Sequence, residues 1–313
     1  MLQPWRGLRF LVRTVILKNM KNYSDINFHG QRHVLTVSTT RGVPSTSVNL
    51  KEALCEKIPI HYDILRNIRQ EHGSSVISQI TVENIYQGLN GVNTMVRETS
   101  EIDPKYGIRY RGLTIPEVVT LLPREGKSPS AESVFWLLLT GDIPTQEQTA
   151  SLIADWSTRR QMKKDWWSGP GGGIVGSVLR TLPKTTSPLG KLSVALTVFD
   201  SRSHMNEALK NGALSYTHWE YMYEDSMELL ATLPAIVGLI AKGELKNLEA
   251  ENGDWIQFLS ECLCNAFDIS KNHKKSLMDF LRLYIVLNAN TRCFSIIRQP
   301  GSCSRSFSIY RGT

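Results

Sequence analysis

The chain has 313 residues, of which 41% are hydrophobic, and a net charge of +7, a size and composition that suit one large or two ordinary soluble domains. The charge is uneven. Residues 1–46 hold seven Lys and Arg against the single acid Asp25, residues 291–313 hold four Arg and no acid, and the stretch between them nets −3. A mildly acidic body without interleaved basic and aromatic residues argues against a groove for phosphate backbones, so no nucleic-acid partner is expected.

At the N-terminus, Arg6, Arg9, Arg13, Lys18 and Lys21 stand without an acid among the first 24 residues. Helical spacing puts Arg6, Arg9 and Arg13 on one side and Trp5, Leu8, Val12 and Val15 on another, the Arg-rich amphipathic pattern of a mitochondrial transit peptide. Residues 1–46 are read as such a leader, with the mitochondrial matrix as destination.

From residue 47 onward the pattern is mostly helical. Thr114-Ile115-Pro116-Glu117 and Thr145-Gln146-Glu147-Gln148 have capping-box spacing and predict two helix starts; Ser276-Leu277-Met278-Asp279 is a weaker signal of the same kind. Residues 94–96 and 108–110 predict a small hairpin across Asp103-Pro104-Lys105-Tyr106-Gly107. Leu192, Ala195, Leu196 and Phe199 mark a helix. Trp219, Met222, Ser226, Leu229, Leu233, Val237 and Ile240 mark the buried stripe of a long one bent near Pro234, and Trp255, Phe258, Leu259, Cys262 and Ala266 mark the next. The best apolar run, 229–241, is short and interrupted by Pro234, so no membrane span is expected. The expected fold class is all-α with a minor β element.

Gly171-Gly172-Gly173-Ile174-Val175-Gly176 satisfies G-x-G-x-x-G, but Lys163-Lys164-Asp165-Trp166-Trp167 before it is no buried strand, so a flexible glycine-rich loop is expected and no dinucleotide site. Cys55, Cys262, Cys264, Cys293 and Cys303 lack paired spacing and are read as reduced thiols, with Cys262 in the core and no metal site. None of His29, His33, His61, His72, His204, His218 and His273 shows catalytic spacing to a Ser, Cys or carboxylate.

Three stretches carry a resemblance: SVNLKEALCEKIP from residue 47 with ITVENIYQGLNGVNTMVRETSEIDPKYGIRYRGLTIPE from residue 80, FWLLLTGDIPTQEQ from residue 135, and WEYMYEDSMELLATLPA from residue 219. They resemble the eukaryotic mitochondrial type of citrate synthase, and 2-methylcitrate synthases share these runs. The likeness covers residues 47–290. It implies an almost wholly helical dimer, paired here through residues 189–241, that condenses acetyl-CoA with oxaloacetate and needs neither metal nor cofactor.

By the same resemblance, two catalytic His and a carboxylate base lie in and beyond G-P-L-H-G and P-G-Y-G-H segments, and neither segment occurs in this chain; no catalytic residue is assigned. The family's oxaloacetate-binding His falls at Thr291, and its two CoA-contacting Arg fall at Asn90 and Ser215. Each lost guanidinium removes charge-assisted contacts worth about 1.5 to 3 kcal/mol. The family's H-P-M also becomes Ser187-Pro188-Leu189. Residues 291–313 lose the family pattern and read as a frameshifted or mis-spliced tail. The chain is therefore expected to be inactive, with exposed apolar faces, or to serve as a catalytically dead partner of a full-length synthase.

Overall fold

The computed structural model of the chain describes residues 43–288 apart from 77, 87–99, 104–106, 127, 169–170, 244, 246–247, 249–252 and 268. Residues 1–42, the tail 291–313, Asn90 and Thr291 lie outside the described residues. Helices α1 (Leu50–His72) and α2 (Val82–Tyr86) precede strands β1 (Ser100–Asp103), β2 (Gly107–Tyr110) and β3 (Leu113–Thr114) and helix α3 (Ile115–Leu121). A second pair, β4 (Arg124–Glu125) and β5 (Ser128–Pro129), leads into helices α4 (Ala131–Thr140), α5 (Gln146–Met162), α6 (Lys164–Trp167) and α7 (Gly173–Thr181). Then come α8 (Pro188–Asp200), α9 (His204–Lys210), a 3₁₀ turn (Ser215–Thr217), α10 (His218–Lys242), α11 (Trp255–Phe267) and α12 (Lys271–Asn288). The fold is helical with small antiparallel β elements. Among the described residues no helix is long and apolar enough to cross a membrane.

A hairpin pairs β1 with β2, Ser100 standing opposite Tyr110 and Asp103 opposite Gly107; the expected first-strand residues 94–96 lie outside the described residues. Both capping boxes begin helices. Thr114 N donates to Glu117 Oε2 at 2.7 Å at the start of α3. At α5 the exchange is reciprocal, with Gln148 N to Thr145 Oγ1 at 3.1 Å and Thr145 N to Gln148 Oε1 at 2.9 Å. Ser276 starts nothing: it lies inside α12, whose first residue is Lys271.

Three apolar clusters form the core. Leu50, Ala53 and Leu54 of α1 pack with Phe135, Trp136 and Leu139 of α4, Trp156 of α5, and Trp219, Tyr223, Met227 and Ala231 of α10. Trp166, Trp167, Val175, Ala195, Phe258 and Cys262 gather around Ala235, Ile236 and Leu239 in the second half of α10. Tyr110, Val118, Val134, Leu137, Leu138 and Val286 form the third cluster, beneath the strands.

The buried stripe of α10 therefore runs through Trp219, Tyr223, Met227, Ala231 and Ala235, while Met222, Ser226, Leu233 and Val237 are only half-buried. The stripe read from the sequence shares Trp219 with this face and its Leu229 and Ile240 pack against the second cluster, while its other members flank the buried face, because periodicity alone does not choose between faces of a helix so largely apolar in its second half. Large apolar side chains also stand exposed on α1 beyond Pro59 (Ile60, Tyr62, Ile64) and on α12 (Phe280, Leu283, Leu287), in agreement with the expected open apolar faces.

The glycine run is no flexible loop. Gly171, Gly172 and Gly173 all have positive φ and turn the chain from α6 into α7, which takes in Gly173 and Gly176. A Cβ at Gly173 would lie 2.5 Å from the Asp165 carbonyl oxygen and 2.7 Å from the Trp166 carbonyl carbon. The glycines thus serve close helix contact. Gly173→Ala is expected to cost about 2 to 3 kcal/mol, adding a backbone clash to left-handed strain. Gly212→Ala, at φ +74 with no atom within 4 Å of the new Cβ, meets strain alone and is expected to cost about 1 kcal/mol. Urea denaturation of the two variants, with Gly173→Ala the less stable, checks this.

Candidate functional site

The most specific run of the sequence, WEYMYEDSME, opens α10, and three of its acids, Glu224, Asp225 and Glu228, tie the helix to its neighbours. Glu224 binds Lys51 of α1 at 2.7 Å and Arg159 of α5 at 2.8 Å. Burial pushes the Glu224 carboxyl up, but the hydrogen bonds from Lys51 and Arg159 outweigh it and hold the group below its usual range. Asp225 accepts from Ser203 Oγ at 2.6 Å, His204 N at 2.7 Å and Met205 N at 3.1 Å, so it seats the first turn of α9. Glu228 meets Lys163 Nζ at 3.0 Å and His204 Nε2 at 3.2 Å. Tyr223 lies in the core between these acids, and burial drives its phenol well above the ordinary range.

Two shallow clefts flank this hub. One, of about 230 Å³, is lined by Asn49, Lys51, Asp155, Arg159, Tyr223 and Glu224. The other, of about 320 Å³, is lined by His204, Glu207, Asn211, Ala213 and Tyr221. In the first, the opposite charges neutralise one another directly.

The GIRYRG run has an equally definite task. Arg111, at φ 50, sends Nε and Nη2 to the Leu138 carbonyl at 3.0 and 2.8 Å and Nη2 to the Leu139 carbonyl at 3.0 Å. Gly141 N takes the Leu137 carbonyl at 2.8 Å, so the exposed ends of a buried helix are satisfied.

Of the residues at sequence-implied ligand positions, only Ser215 is described. It opens the 3₁₀ turn before α10 and is exposed, between exposed Leu214 and Tyr216. The histidines need one correction: several of the described ones find partners, among them His72, whose Nε2 lies 3.9 Å from the adjacent Glu71 carboxylate. His204 faces Glu228, and His273 Nδ1 lies 2.7 Å from Ser270 Oγ. The Ser270 and His273 pair sits exposed at the first turn of α12, three residues apart, as a capping Ser does. The first turn of α12 makes the His273 contact and the packing of α9 against α10 makes the His204 contact, which sequence spacing alone did not reveal. Cys262 is buried as expected, and Cys55, Cys262 and Cys264 are free thiols. Among the described residues no three His, Cys, Asp or Glu side chains group to hold a metal ion.

A buried polar junction escaped the sequence reading. Glu132 of α4 is fully buried, and its Oε1 accepts from Trp255 N at 2.8 Å. Asp254 caps α11 through Gln257 N at 2.8 Å and meets Arg282 Nη2 at 2.6 Å. Arg160 donates Nη2 to the Gly253 carbonyl at 2.7 Å. Asp254-Trp255-Ile256-Gln257 has the acid and amide of a capping box and was legible as a helix start; nothing local marked Glu132.

Residues 88–291 match the sequence pattern of the family described as Citrate synthase, C-terminal domain. The chain belongs to the citrate synthase family. It is 34% identical over 256 residues to the mitochondrial 2-methylcitrate synthase of Yarrowia lipolytica, covering 79% of this chain and 51% of the relative. It is also 34% identical over 251 residues to the probable mitochondrial citrate synthase of Caenorhabditis elegans (78% and 50% covered). The value is again 34%, over 244 residues, for the mitochondrial citrate synthase of Aspergillus niger (77% and 49% covered). The chain spans about half the length of the curated relatives it matches.

Within this family member, the two most specific runs serve the scaffold: one ties α10 to its neighbours and the other closes α4. Arg111→Met should strip two buried carbonyls of their donors and destabilise the fold by about 2 to 3 kcal/mol. Arg109→Met, whose guanidinium donates to the Gly112 carbonyl at 3.3 Å in an exposed contact, should cost under about 1 kcal/mol. Chemical denaturation of both variants measures the difference.

Proposed function

We infer that the chain carries the helical body of a citrate-synthase-type condensing enzyme, one that joins an acyl-CoA, acetyl or propionyl, to oxaloacetate in mitochondria. The observation that carries this reading is the family match across residues 88–291. The names of the relatives, mitochondrial citrate synthase and mitochondrial 2-methylcitrate synthase, support the location and leave both acyl groups open. The bond-forming step needs a carboxylate base and two charge-stabilising His, positioned acid–base work that requires no metal.

The 313 residues by themselves do not complete that reaction. Ser215 offers a neutral hydroxyl on an exposed turn where the resemblance calls for a guanidinium. Asn90 and Thr291 are likewise neutral where the resemblance calls for Arg and His. Incubation of the chain with oxaloacetate and either acetyl-CoA or propionyl-CoA is expected to release no thiol above the uncatalysed rate, and turnover with either would overturn the inactivity. Restoring the guanidiniums in the Asn90→Arg, Ser215→Arg double variant should tighten CoA binding about tenfold or more. No gain in calorimetric affinity would count against the acyl-CoA reading itself.

A second reading rests on one face of the molecule. Met222, Leu233 and Val237 of α10 are half-buried, and beside them Leu189 and Leu196 of α8 are 42% and 37% exposed. An apolar stripe of this kind on a core helix suits pairing with a second chain, either another copy or a full-length synthase. Co-purification of tagged chain with an intact synthase tests the mixed pair, and recovery of the tagged chain alone would rule it out.

A further inference from the structure

The junction of α4, α11 and α12 holds two carboxylates in one buried place. Glu132 has no solvent exposure and Asp254 has 4%. Both oxygens of Asp254 are engaged: its Oδ1 accepts from Gln257 N and its Oδ2 meets the Arg282 guanidinium at 2.6 Å, a charge-assisted pair. Glu132 differs. Its Oε1 accepts from Trp255 N, while its buried Oε2 has no hydrogen-bond partner.

A carboxylate in that position, ionised, would leave a charged oxygen unsolvated beside a second negative charge. A protonated carboxyl keeps the Trp255 bond through its carbonyl oxygen and loses the repulsion. The groups facing Glu132 are Asp254 at the head of α11, Arg160 from α5, and Arg282 from α12 acting through Asp254. From the fourth side, α1 contributes apolar Leu50, Ala53 and Leu54 to the adjoining core. The backbone N–H groups of Trp255 and of Glu132 itself, and then Arg160, favour ionisation, but burial and Asp254 outweigh them; the Arg160 Nη2 is engaged by the Gly253 carbonyl and its guanidinium lies 4.7 Å from the centre of the Phe258 ring.

We propose that Glu132 is a proton-operated latch: protonated, it lets α4 close on the head of α11 and, through Asp254 and Arg282, on the middle of α12, and its deprotonation loosens that junction. Burial first, then the charge of Asp254, push the Glu132 carboxyl up to about 7. The sign follows. A carboxyl whose folded value lies above its unfolded value binds more protons when folded, so stability is full below the unfolded value and is lost as pH rises through the folded one. This latch is independent of the condensing chemistry inferred above.

Urea denaturation of the 313-residue chain between about pH 5.5 and about pH 8.5 tests it, with Glu132→Gln as the comparison. Histidines titrate in the same window, so the readout is the difference between the two proteins. The folding constant of the wild type should fall about tenfold or more relative to that of Glu132→Gln as pH rises. Parallel profiles would overturn the latch. Should Glu132→Gln fail to fold, the carboxyl carbons of wild-type chain labelled at glutamate settle the matter by NMR. One resonance titrating near neutrality supports the latch, and all of them titrating in the ordinary carboxylate range overturn it.

Discussion

Everything in this fold leans on α4 being buried on every side. Nine consecutive residues, Glu132 through Thr140, are inaccessible, so its face toward α1, α5 and α10 and its face toward the strands and α12 are both core. A helix in that position loses water at both ends as well as along its flanks, and its terminal backbone groups need partners from the protein. Ser130 supplies one at the start, its Oγ accepting from Ser133 N at 3.1 Å. Gly141 in the left-handed region and the Arg111 guanidinium supply the finish. That Arg111 belongs to the GIRYRG run explains physically why a run so far from the helix in sequence is part of the same signature: it is the C-terminal plug of the buried helix.

The second organising element is α10, which passes through two of the three core clusters. Along its first half, acids alternate with core residues, and Glu224, Asp225 and Glu228 reach α1, α5 and α9. Along its second half polar groups vanish and small residues permit close approach: a Cβ on Gly238 would meet Leu245 Cδ2 at 2.8 Å and Cys262 Cβ at 3.2 Å. The result is a helix clamped by charge at one end and by packing at the other, with an apolar side still half open. Buried area on that side is stabilising only when another surface covers it.

Much of this was legible locally. The Thr114 and Thr145 starts depend on side chains three residues apart, and both helices begin there. The hairpin that pairs residues 100–103 with 107–110 was likewise marked by Pro104 and Gly107 in the sequence. Features set by distant contacts were not legible. The face of α10 that goes inward is decided by α4 and α5, and the rigidity of Gly171 to Gly173 by the carbonyl of Asp165. Glu132 is the plainest case, since its partner Trp255 lies 123 residues away. Of the ligand positions, Ser215 falls on an exposed turn, where neither burial nor a partner identifies a role.

The most direct measurement is the mass of the chain in solution by sedimentation equilibrium. If the half-open side of α8 and α10 is covered by a second copy, the mass is that of two chains across roughly 1 to 100 micromolar. A single-chain mass throughout that range would contradict a scaffold built to pair through this face.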